Sequence, residues 1–140
     1  MGIPSVTISY NAVLIGTIIH ILLGMIWYSR FGFGDIWMKL TGISEKDMKK
    51  AQKAGMGSSY LMMVISSFVI ILFLEYFVVL MTAQGFVEGL RVGVMLWIGF
   101  IATTMLGSVL WEGKPVKAYI LNSTYYFASL GIVGGLLASW

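Results

Sequence analysis

Cysteine is absent from this 140-residue chain, and charge is scarce. Without a thiol there is no disulfide, iron–sulfur cluster, thiolate nucleophile or lipoprotein-type acylation. Asp, Glu, Lys and Arg make up 11% of the residues, against about 25% in a soluble domain. Histidine occurs once, which excludes a two-histidine haem site within one chain. The sequence holds no HExxH, no P-loop and no sensibly placed Ser-His-Asp set, so neither a catalytic centre nor a cofactor is expected. A metal site would need His20 and Glu75 repeated by symmetry, and none is expected either. The opening MGIPSVTISYN has no Lys or Arg. A secretory signal needs a positive start, so the first apolar run is expected to be a retained span.

What is present is hydrocarbon. Hydrophobic residues make up 59% of the chain and mean hydropathy is +0.90. Polar residues cluster and leave long uncharged gaps, the pattern of a polytopic membrane protein. Four stretches reach the roughly 20 residues that a bilayer core requires: Tyr10–Ser29, Ser59–Thr82, Val92–Trp111 and Ala118–Trp140. Each must be helical, because lipid offers no partner to an open strand edge. The short links 83–91 and 112–117 make neighbours antiparallel. The expected fold is thus all-α, a single transmembrane domain over 1–140 with four spans in up-down order.

Lysine and arginine set the expected direction. Arg30, Lys39, Lys46, Lys49, Lys50 and Lys53 fall in the first connection, and Lys114 and Lys117 in the third. Only Arg91 falls on the other side. That bias predicts cytoplasmic first and third connections in a plasma membrane, with both termini outside. Aromatics should mark the boundaries: Trp27, Tyr28, Trp37 and Trp111 at the inner level, Trp140 at the outer. In 24-GMIWYSRFGFGDIW-37, Gly32 and Gly34 are expected to relax the chain as it leaves the first span.

The first connection carries a helix signal of its own. Ser44 is a natural N-cap, Asp47 stands three residues on, and Gly55 suits a stop, giving a short amphipathic cytoplasmic helix over about 44–54. Lys46, Lys49, Lys50 and Lys53 share one face. This basic stripe can lie on an anionic leaflet or simply enforce topology. Its few charges adjoin no base-stacking platform, so no nucleic-acid partner is expected.

Polar residues within spans are costly and therefore informative. Ala12, Gly16, His20, Gly24 and Tyr28 recur every four residues and form one face. Its glycines admit a close neighbour, so His20 is expected to face protein. Glu75 should lie roughly 10 Å below the outer boundary and His20 roughly 15 Å. A His20–Glu75 pair along a permeation path is therefore one expectation, with Arg91 a second candidate partner for Glu75. Nearer the cytoplasmic half, Ser67, Thr103 and Asn122 could line a wet cavity or merely bond between helices or to their own backbone. Gly89 and Gly93, and Gly131 and Gly135, form two GxxxG pairs. Such faces suit either packing within the chain or a homo-oligomer, and a dimer or larger is expected.

The segment 27-WYSRFGFGDIWMKLTGISEKDMKKA-51 resembles the signature of the domain of unknown function 1761, a family of small prokaryotic four-helix membrane proteins. That family carries a WYS-type turn, a Gly-x-x-Trp-Met segment and a short charged helix after the first span. Here these correspond to Trp27, Tyr28, Ser29, Gly34, Trp37 and Met38. Asn122 matches an asparagine early in the last span. Arg30 stands where the family commonly has proline. The resemblance implies an integral four-helix protein and brings no activity. Three functions stay open on the residues. One is an oligomeric channel or transporter for an ion or small solute, with His20, Glu75, Asn122, Thr103 and Ser67 near its path. Another is an accessory protein binding lipid or a partner subunit. The third is a membrane enzyme acting on a lipid or quinone.

Overall fold

A computed structural model of the chain describes residues 2–140, and among these every regular element is helical. Ser9 caps α1 (Tyr10–Trp27) by accepting the Ala12 N–H at 3.5 Å. After α1 the chain doubles back at once. Phe33 N–H donates to the Trp27 carbonyl at 2.7 Å, and Gly34 N–H to the Ser29 carbonyl at 3.0 Å. A Cβ on Gly32 would run into the carbonyls of Ile26 and Trp27 in α1's last turn, and one on Gly34 into those of Tyr28 and Ser29 just beyond it. These glycines serve a close approach of backbone to backbone, a stricter demand than the loose exit expected from sequence.

Two helices occupy the first connection where the sequence suggests one. The unforeseen α2 (Gly34–Thr41) ends at Gly42, whose φ of 73° needs the left-handed region. It is followed by α3 (Glu45–Ala54), which starts with the expected capping box. Asp47 N–H donates to Ser44 Oγ at 3.1 Å, and Ser44 N–H to Asp47 Oδ2 at 3.0 Å. The chain then re-enters as α4 (Gly57–Leu80) and turns within a few residues into α5 (Gly85–Leu96).

The third span therefore begins at Gly85, seven residues before the expected Val92. Glu88 and Arg91 suggested a loop, but Glu88 accepts the Gln84 N–H at 2.7 Å and caps the new helix, while Arg91 stays exposed. Beyond α5 the span widens into a π-helical segment (Trp97–Ala102). It finishes in two short pieces, α6 (Thr103–Met105) and α7 (Gly107–Leu110). Together, 85–110 form one candidate span, and α8 (Val116–Ala138) forms the last.

All four spans are long and apolar enough to cross a membrane. The last is the axis of the bundle: 56% of its most apolar window is buried, against 17% in the third span. It packs on α1, α4 and α5. Hydrocarbon neighbours give no hydrophobic drive between helices inside lipid, so close backbone approach must supply the attraction. Side chains on Gly89 or Gly93 would overlap the α8 backbone at Gly134 and Leu130. A Cβ on Gly135 would lie 2.5 Å from the Phe86 ring. Around this seam Val13, Ile71, Leu74, Val92 and Val133 form the core. Ile18, Phe73 and Phe100 point outward, as lipid-facing positions should. Two aromatic hydroxyl and indole groups tie down the π segment. Tyr119 donates to the Ala102 carbonyl and Trp97 to the Ser123 carbonyl, each at 2.8 Å.

Candidate functional site

His20 is 3% exposed and faces α8, on the glycine row the sequence displays. Its partners are hydroxyls. Nδ1 lies 2.5 Å from Ser129 Oγ, and Nε2 lies 3.3 Å from Tyr125 Oη. Tyr125 spends its single proton on the His20 backbone carbonyl at 2.8 Å. Its oxygen can then only accept from Nε2–H, which leaves Nδ1 to accept from Ser129. One assignment of protons satisfies all three groups. Gly24 makes it possible, since a Cβ there would sit 2.9 Å from Tyr125 Oη.

From His20 an aromatic ladder descends toward the lysine-bearing end. Tyr125 meets Tyr126 at 4.9 Å and Tyr28 at 5.7 Å between ring centroids. Tyr28 meets Trp37 edge-on at 6.0 Å and donates a 2.8 Å hydrogen bond to Asn122 Oδ1. Trp27 packs tilted against Phe33, with ring centroids 4.7 Å apart, and donates to the Leu121 carbonyl at 3.2 Å. Trp27, Tyr28 and Trp37 are half-buried and engaged, so they brace the bundle as well as marking a boundary. Trp111 and Trp140 are exposed.

The ladder ends at a groove of about 850 Å³ between α2, α3 and the ends of α1 and α4. Its floor is apolar: Met38, Met48, Met56 and Met63, with Tyr28 and Trp37. Arg30, Asp35, Glu45, Lys49 and Gln52 supply its polar positions. Arg30 and Glu45 form an ion pair that ties the end of α1 to the start of α3. A mostly apolar concavity of a few hundred Å³ with a few polar groups is the usual form of a small-molecule site. Beside the turn from α4 to α5, a second hollow of about 570 Å³ is lined by residues including Glu88 and Arg91.

The remaining expected residues do not gather. Glu75 is 4% exposed, and its Oε1 accepts the Ser9 N–H at 3.5 Å, ahead of α1. His20 lies eleven residues further along, about 16 Å at helical rise. The His20–Glu75 pair is therefore not formed, and Arg91 makes no ion pair with Glu75 among the described residues. Glu75 Oε2 is buried without a partner. Ser67 is buried, whereas Thr103 is exposed and bonds the Gly99 carbonyl of its own span at 2.9 Å. Gly16 packs 3.0 Å, by its missing Cβ, from Ile71 and Val133, while Gly131 leaves ordinary clearance of 3.7 Å. The glycine faces at Gly89, Gly93 and Gly135 are thus covered within the chain.

Sequence reading missed Tyr125, Tyr126 and Ser129. Their signal was available: Asn122, Tyr125 and Ser129 are spaced to share one α8 face. The groove was missed with α2.

Among the described residues, no His, Cys, Asp or Glu cluster could hold a metal ion. No curated protein and no solved structure matches the chain. A family model does, across residues 11–138, and the chain accordingly belongs to the family described as Protein of unknown function (DUF1761).

Proposed function

We propose that this is a plasma-membrane protein that binds an amphiphile of the lipid or quinone class in the groove between α2 and α3. The groove carries the reading: four methionines line it together with charged residues from α2, α3 and the chain just after α1. Methionine is flexible and polarizable, which suits an irregular hydrocarbon surface. The positive-inside bias supports a cytoplasmic position for the lysine-bearing end, where this groove lies. A homo-oligomer belongs to the same proposal, with the sparsely buried third span as its contact.

Transport of an ion or small solute along His20, Glu75 and Asn122 would need space for water. None of these three residues lines either cavity. His20 bonds the Ser129 hydroxyl on α8, Asn122 Oδ1 accepts from the Tyr28 hydroxyl, Glu75 Oε1 accepts the Ser9 N–H, and Glu75 Oε2 is buried without a partner. Amphiphile binding is therefore the better supported reading.

Native mass spectrometry of protein extracted in mild detergent tests it. Wild type should carry a bound amphiphile, and filling the floor with Met63→Trp should remove it. An adduct of unchanged abundance in a folded Met63→Trp variant would refute the groove as its seat.

A further inference from the structure

The groove's charges are of both signs, and they are not all spent. Arg30 and Glu45 neutralise one another. Lys49 on α3 and Asp35 on α2 also line the space, and neither forms an ion pair among the described residues. One free cation and one free anion thus flank an apolar floor from two different helices. Tyr28 and Trp37, at the end of the aromatic ladder, stand beside them.

We infer, resting on the amphiphile reading above, that the groove selects a zwitterionic lipid headgroup of the phosphoethanolamine type, its phosphate at Lys49 and its primary ammonium at Asp35. Charge complementarity decides among occupants. A purely anionic headgroup satisfies Lys49 and is repelled by Asp35. A cationic amphiphile reverses the problem. A neutral quinone leaves both charges unanswered. The ethanolamine head answers both, and its ammonium brings N–H donors that a carboxylate accepts in charge-assisted hydrogen bonds. A choline head carries the same charge with no N–H to donate. The acyl chains then run over Met38, Met48 and Met63 toward the bilayer.

The test uses delipidated full-length protein in detergent micelles. Phosphatidylethanolamine, phosphatidylcholine and phosphatidylglycerol with identical acyl chains are titrated and followed by native mass spectrometry. Ethanolamine lipid should bind at least about ten-fold more tightly than the other two, the scale of one charge-assisted hydrogen bond. Asp35→Asn should erase its advantage over the glycerol lipid, and Asp35→Lys should reverse the order. Lys49→Gln should weaken all three, since each carries a phosphate. Equal binding of all three by wild type, or an order unmoved by Asp35→Lys, overturns the inference. Met63→Trp separates the two levels. If it lowers all three lipids while wild type shows no preference, the groove stands and the headgroup assignment falls. If it lowers none, the groove reading itself has failed.

Discussion

Replacing Tyr125 with Phe removes one oxygen and keeps the ring. That oxygen donates to the His20 carbonyl at 2.8 Å and lies 3.3 Å from His20 Nε2. Both residues are buried, at 7% and 3% exposure, so water does not replace the lost partner. The carbonyl keeps its helical bond, but the Nε2 donor is stranded. A stranded buried donor costs about 1–3 kcal/mol. Hydrogen bonds between membrane helices average about 0.6 kcal/mol and reach about 1.7, because the unfolded chain in lipid also finds partners. The two ranges overlap at about 1–1.7 kcal/mol, and that is the loss expected. Equilibrium unfolding in mixed micelles measures it. The double-mutant cycle with His20→Phe should then show that Tyr125→Phe costs far less once the imidazole is gone. A Tyr125→Phe variant within about 0.3 kcal/mol of wild type, or a cycle with no coupling, would refute this account of the His20 network.

Three further outcomes follow from the geometry. Gly93→Leu should lower the melting temperature in detergent sharply, since its Cβ would overlap the Leu130 backbone, whereas Gly131→Ala should be tolerated; equal effects would contradict the α5–α8 seam. The Asp47 carboxylate accepts the Ser44 backbone N–H and bonds its side chain, which holds it below the ordinary value of 3.8. Its folded form favours the ionised state, so its support for α3 is complete above that value and is lost as pH falls through the lowered one. Amide protection across α3, taken relative to the unstructured chain at each pH, should fall in that acid window, and Asp47→Asn should abolish the change in protection. In intact cells, Lys49→Cys should resist impermeant thiol reagents until the membrane is opened, and prompt labelling would reverse the orientation.

The spans were legible because lipid tolerates few charges, and the gaps between charges could be measured by eye. The same logic misplaced the start of the third span. Glu88 and Arg91 read as loop residues, yet a carboxylate at a helix N-terminus and an arginine that reaches outward both belong in a helix at a membrane boundary. In α3 the capping box is local, so three residues announce it. Being short and opening on glycine, α2 could not be separated from an aromatic belt. At the site, the glycine row told which way His20 points but not which helix it meets. Ser129 and Tyr125 lie more than a hundred residues away in the chain, at separations of 109 and 105. Register between distant helices depends on the Gly89, Gly93 and Gly134 seam as a whole, and no single motif encodes it. Glu75 differs for a similar reason: the sequence shows its depth along its own helix, while its partner is the backbone at Ser9, ahead of α1.

Photo-crosslinking tests the groove most directly. The protein is reconstituted with a lipid bearing a diazirine near its headgroup, illuminated, and its adducts are mapped by peptide mass spectrometry. Adducts concentrated on Met38, Met48 and Met63 are expected, with loss of that cluster in Met63→Trp. Adducts spread over outward positions such as Phe73 and Phe100, with none between α2 and α3, would contradict a lipid seat in this protein.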